Sequence, residues 1–274
     1  MELLSRPEIQ SAVIPFMVSL VIGFLLKSYG LKWSGLGVVI GFFAAALAIN
    51  GFDFTPLNGT RKIILLGLLA AFLAIFVEQK ITQKLTRTLF LIVFTVAAVA
   101  WVFWVVISRG DIGQSLIQAV SGIAYVCWFV VALTSSRKSN IAHASAGLAL
   151  TLGTGVIAIL GTSALLGQLA FALAASIGAI FLINVFLKAE STALVFGFPV
   201  AILAGLIGFA GLMFATVPWY ALVMMAFVPL TVFLNIVENR SRFVQAVIFT
   251  LISLTPAALA AFSMWWFAEQ SSGY

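Results

Sequence analysis

Charge is what this 274-residue sequence has least of: 8% of its residues are Asp, Glu, Lys or Arg. A soluble domain carries about 25%, so a water-soluble enzyme and a solvated disordered chain are both excluded. Cysteine is nearly absent as well. Cys127 is the only one, so no intramolecular disulfide framework exists, and Cys127 reads as a small buried apolar residue. The single histidine, His143, excludes a multi-histidine metal or haem centre. No phosphate-cradling, dinucleotide, zinc-protease, Cys-x-x-Cys or nucleophile-elbow motif stands in a usable context. No cofactor, metal or catalytic residue is expected.

Apolar residues fill the gap, at 63% of the chain and a mean hydropathy of +1.21. A membrane helix needs about 20 mostly apolar residues. Such runs are expected at 11–26, 33–51, 63–77, 85–108, 112–135, 141–161, 165–187, 192–215, 218–235 and 243–267. They are continuous and do not alternate, which excludes a β-barrel. The fold class is therefore all-α: a polytopic membrane protein of about ten spans in one transmembrane domain, 1–274. Short connections make sequential helices antiparallel neighbours. The N-terminal stretch mixes Glu2, Arg6 and Glu8, shows no small-residue cleavage pattern and reads as a retained first span.

The 14 Lys and Arg residues set an orientation by the positive-inside rule. Lys27, Lys32, Lys80, Lys84, Arg87, Arg137, Lys138, Lys188, Arg240 and Arg242 fall on one side. Arg6, Arg61, Lys62 and Arg109 fall on the other, with Glu2, Glu8, Asp53, Asp111 and Glu269. Both termini are then expected on the non-cytoplasmic side of an inner or plasma membrane. Trp101, Trp104, Trp219, Trp265 and Trp266 fit the outer interfacial belt and Trp33 the inner one; Trp128 sits deeper and reads as packing. The expected partners are membrane lipids and a second copy or membrane-complex subunit. No loop is long enough to form a basic groove, so no nucleic acid is expected.

The halves 1–137 and 138–274 would hold five spans each, and an odd number inverts one against the other, as in many secondary transporters. The matches between halves, 47–50 with 181–184 and 118–120 with 245–247, disagree in offset. The string Val-Ile-Pro-Phe-Met-Val-Ser-Leu-Val-Ile-Gly-Phe-Leu-Leu-Lys at 13–27 resembles the first helix of auxin-efflux-carrier-like transporters, which use ten spans with outside termini. The resemblance covers that helix alone. The Asn/Pro-marked crossing helices of such carriers are not evident in the fourth and ninth spans, and no family is assigned.

Small residues mark where helices approach in lipid: Gly37 and Gly41 in the second span, and repeated Gly, Ala and Ser in the sixth to eighth, which should form a central cluster. Gly197 and Pro199 are the candidate helix break, because proline removes a helical hydrogen bond. Every charge falls at an expected interface, so coupling through a buried carboxylate is disfavoured. The polar residues left at membrane depth are hydroxyls and amides. Tyr125, Thr151, Thr154 and Ser176 could converge on a neutral cavity, while most such hydroxyls bond back to their own helix. His143 and Asn184 lie nearer the cytoplasmic ends, with Asn184 expected as interhelical glue.

Three functions are compatible with this inventory. The first is a small multispan transporter or permease for an uncharged or amphipathic solute. The second is a non-catalytic membrane subunit or assembly factor of a larger complex. The third is an intramembrane enzyme, for which only Glu78, His143, Glu190 and Glu238 are at hand, each in a different connection.

Overall fold

The computed structural model describes residues 6–29, 33–51, 55–109, 111–135, 140–187, 192–234 and 240–271. The helices are α1 (Ile14–Ser28, entered through a π-helical stretch Ile9–Val13), α2 (Leu36–Asn50), α3 (Gly59–Lys80), α4 (Lys84–Ile107), α5 (Ile112–Ser135), α6 (Asn140–Leu160), α7 (Ala164–Leu187), α8 (Ala193–Phe214), α9 (Trp219–Ala226, followed by a 3₁₀ segment Val228–Phe233) and α10 (Arg242–Ser271). No strand occurs among the described residues. Eight helices are long and apolar enough to cross a membrane, and Leu36–Asn50 and Trp219–Phe233 are shorter apolar segments. At 1.5 Å per residue α2 is about 22 Å long, short of the ~30 Å hydrocarbon core. Glu2, Lys32, Asp53, Arg137, Lys138, Lys188, Glu190 and Glu238, which entered the sequence reading, lie outside the described residues.

Helix α8 is the centre of the fold. Every residue from Leu194 to Gly211 is buried, which requires a helix that is apolar all round. It packs against α3 on one flank, α5 on another and α6 on a third. Around α6 and α7 gather α10, α1 and α2; α1, α2 and α7 pack mutually. The expected central cluster of α6, α7 and α8 is thus formed. The pairs α2–α7 and α3–α8, which a five-plus-five repeat would place on its axis, both pack. Yet α6 packs along α10, and among the described residues α1 makes no comparable contact with α5.

Glycine sets the closest approaches. A Cβ on Gly41 would overlap Ser19 Oγ and lie 2.5 Å from Pro15 O and 2.9 Å from Ser176 Oγ. Across the same seam Ser19 Oγ donates to Gly37 O at 2.6 Å. Small residues and a serine therefore join α1, α2 and α7 where the hydrophobic effect cannot. The candidate break at Gly197 and Pro199 does not interrupt α8, which runs unbroken through both. Gly197 serves packing instead, since its Cβ would lie 2.5 Å from Leu133 O of α5.

Helix ends follow local chemistry. Asn58 caps α3, its Oδ1 accepting from Arg61 N at 2.9 Å, and Thr192 Oγ1 caps α8 by accepting from Val195 N. Gly51 ends α2 at φ 72. The α6–α7 turn is less usual. Ser163 N donates to Ala158 O at 2.9 Å, closing a Schellman-type end with Thr162 at φ 67, where glycine is the ordinary choice. Gly161 is needed one residue earlier, because a Cβ there would lie 2.5 Å from Val217 Cγ2 and 3.1 Å from Ile157 O. Replacing Thr162 by Gly should raise stability by about 1 kcal/mol by relieving left-handed strain. Gly161→Ala should cost about 1–3 kcal/mol by overpacking. Thermal unfolding of the two purified variants checks both signs; a stabilising Gly161→Ala would contradict the assignment.

Candidate functional site

The helix ends gather into two sets. At one end meet the start of α10, the close of α1 and α7, and the first turns of α6 and α8. Arg242 Nη1 donates to Asn184 O at 3.2 Å, and Lys27 Nζ donates to Leu187 O. Both cations thus satisfy carbonyls in the last turn of α7, where positive charge also suits the helix dipole. Close by, Asn140, His143, Asn184, Thr192, Ala193 and Phe196 enclose a cavity of about 10 Å³, room for roughly one water molecule. His143 and Asn184 are each 2% exposed, and Asn184 Oδ1 has no hydrogen-bond partner among the described residues. The structure therefore brings His143 and Asn184 together, on α6 and α7.

At the opposite end, Lys62 Nζ donates to Trp101 O at 2.9 Å and lies 5.6 Å from the centre of the Trp101 ring. Asn58 and the first two residues of α3, Gly59 and Thr60, border Ser163 in the α6–α7 turn, Leu165 at the start of α7, and Phe214 at the end of α8. On a third helix pair, Arg87 and Glu78 form an ion pair at 2.9 Å between α4 and α3. Several of the few charges therefore hold neighbouring helix ends together.

Of the four residues expected to line a neutral cavity, three hold their hydroxyls on their own helix. Thr151 Oγ1 donates to Gly147 O at 2.8 Å, Thr154 Oγ1 to Leu150 O at 2.7 Å and Ser176 Oγ to Ala172 O at 2.9 Å. Each hydroxyl is bonded back to its own helix, the ordinary fate of Ser and Thr in an apolar interior. Only Tyr125 of the four borders the large groove.

That groove, about 490 Å³, runs between α5, α8 and α9 and is open on one side. Ser121, Tyr125 and Trp128 line it from α5, Phe209 and Leu212 from α8, and Trp219, Leu222, Val223, Ala226, Phe227 and Leu230 from the α9 segment. Its volume is that of a small-molecule site. Tyr125 Oη is buried beneath it without a partner among the described residues, against Gly208, where an added Cβ would lie 3.1 Å away.

The outer wall of the groove is a broken helix. Pro229 has no N–H to give to Met225 O. Leu230 N donates to Phe227 O at 3.1 Å, three residues back, so Ala226 O loses its helical donor. Trp128 Nε1 fills the gap, donating to Ala226 O at 2.7 Å. On the other side, Thr231 Oγ1 donates to Val228 O at 2.8 Å, and so Ser253 Oγ of α10 is the donor in its 2.7 Å contact with Thr231. A non-helical stretch at membrane depth is tolerated only where its backbone is satisfied in this way. The break thus sits at 226–229 rather than at Gly197 and Pro199. From the sequence, Pro229 is one of four prolines in or near spans that remove a helical hydrogen bond, with Gly197 and Pro199 the preferred break, and Trp128 reads as packing; its bond to Ala226 O is what the sequence does not show.

Known protein families and curated protein sequences were both searched, and the chain matches none. Fold and apolar helices together define an all-helical, multi-pass membrane protein.

Trp128→Phe keeps an aromatic ring but leaves Ala226 O unsatisfied, which should cost about 1–3 kcal/mol. Trp104, 65% exposed, serves as the control, and Trp104→Phe should change little. Thermal unfolding in mild detergent reads both. Equal effects at the two positions would contradict the role of Trp128.

Proposed function

We propose that this protein is a small membrane permease for an uncharged or amphipathic solute that enters from the side. The observation that carries this reading is the groove beside the broken α9 segment: a concave apolar site whose wall lacks a continuous helix. Discontinuous helices recur where transporters bind and move substrates. The charges described at helix ends leave the groove itself uncharged, which suits a neutral or amphipathic solute and disfavours coupling through a buried acid.

The same proposal includes ten membrane crossings, with α2 and the α9 segment as the short ones. It places the Lys27, Arg87 and Arg242 ends on the cytoplasmic side and both termini on the other. The gathering of helix ends into two sets supports the alternation, and the Lys/Arg imbalance supports its direction. The five-plus-five inverted plan is retained for α2–α7 and α3–α8 as the axial pairs.

Reconstitution into liposomes tests the reading. Swelling in neutral solutes and dithionite quenching of fluorescent lipids should show at least one process about tenfold faster than in protein-free vesicles, which corresponds to about 1.4 kcal/mol of barrier. Val223→Trp, placed in the groove, should reduce it. Rates equal to empty vesicles for every solute and lipid would overturn the permease reading in favour of a membrane subunit.

A further inference from the structure

The groove is apolar, but its polar atoms are more informative than its carbons. Ser121 Oγ donates to Gln118 O at 3.1 Å. Trp128 Nε1 is committed to Ala226 O. Tyr125 Oη is buried under the groove floor against α8. Among the described lining residues other than Trp219 at the lip, only Ser121 Oγ keeps accessible acceptor capacity, and no accessible side-chain donor is left over, so a head group or a sugar would lose most of its hydration there without compensation. What fits is hydrocarbon.

The dimensions narrow this further. Trp219–Ala226 rises about 12 Å at 1.5 Å per residue, and 228–230 adds about 6 Å at 2 Å per residue. The α9 wall is therefore about 18 Å long, close to the ~15 Å depth of one leaflet. Its open lip is made by Trp219, Val223, Phe227 and Leu230, which are 68%, 48%, 55% and 39% exposed. Trp219 stands at the helix end, where an indole belongs at the headgroup level. Trp128, 36% exposed, sits at the far, deep end. A groove one leaflet long, open to the bilayer and, below the Trp219 lip, without an accessible free side-chain donor among its described lining residues matches a single acyl chain in both size and chemistry.

We infer that this groove is a specific seat for one acyl chain of a membrane phospholipid. Its head group would lie at the Trp219 end and its tail would reach the Trp128–Ala226 hydrogen bond. The inference takes its site from the permease reading and does not require transport. The chain would cover the broken segment, shielding the Trp128–Ala226 pair from competing donors, so occupancy and the geometry of the break are coupled.

Photocrosslinking in lipid nanodiscs tests this directly. A phosphatidylcholine with a diazirine in one acyl chain is compared with one carrying it in the head group, and adducts are mapped by mass spectrometry. The chain probe should label 121–128 and 219–230 at least fivefold above the lipid face of α10 at Leu259 and Phe262, which are 54% and 56% exposed. Val223→Trp should cut that labelling about fivefold and leave the α10 adducts unchanged; Ser121→Phe provides the same block from the α5 side if the first variant misfolds. Chain adducts spread over all exposed helices in proportion to their exposure would overturn the inference, as would head-group adducts at Trp128 and 226–230. Focused adducts in a protein that moves no solute would support the seat while the permease reading fails, and scattered adducts with intact flux would do the reverse.

Discussion

In a bilayer, a backbone N–H or C=O without a partner costs several kcal/mol, and no water is present to make up the loss. The rest of the structure depends on that one constraint. The long helices satisfy it internally, and their buried hydroxyls (Thr95, Thr151, Thr154, Ser176) fold back onto carbonyls four residues earlier. The last turn of α7, which cannot satisfy its own carbonyls, receives Lys27 and Arg242 from other helices. Lys62 adds a bond from α3 to Trp101 O, within α4. A chain with few charges has spent several of them on helix ends.

The same constraint explains why α9 can be broken where it is. A Pro at 229 would expose carbonyls to lipid in an isolated helix. Here Trp128 approaches from α5, and Ser253 approaches Thr231 from α10. The Trp128 bond stands in for the missing helical one at Ala226 O, while Ser253 holds the Thr231 hydroxyl that donates to Val228 O, so the segment is held in part from outside rather than by its own ladder. Such segments open more easily than a buried helix such as α8. The groove borders the segment that has the least internal support, and this links the packing to the proposed movement of solute.

The sequence made much of the fold legible, because apolar runs and charge clusters are set by lipid itself. The helix positions emerge from those runs, and the α6–α7–α8 cluster emerges from the Gly, Ala and Ser spacing. Two local features were misleading for physical reasons. Gly197 and Pro199 look like a break, but Gly197 is there to admit Leu133 O, and the helix continues past both. Thr151, Thr154 and Ser176 look like cavity residues, but a hydroxyl within reach of its own i−4 carbonyl needs no other partner. The groove was hidden because it depends on a contact between residues 98 positions apart, Trp128 and Ala226, which no local pattern encodes. Asn184 and His143 each stand out in the sequence, since amides and imidazoles are conspicuous in so apolar a chain, but that they border one cavity depends on how α6, α7 and α8 pack.

Hydrogen–deuterium exchange of the wild-type protein in lipid nanodiscs tests the central claim most directly, because it reads backbone protection segment by segment. The account predicts exchange within minutes for amides at 227–234, where the helical ladder is replaced by 3₁₀ and side-chain bonds, and protection lasting hours across 198–211 of α8. Protection at 227–234 as deep as that of α8 would mean a continuous, self-supported helix, and would contradict it.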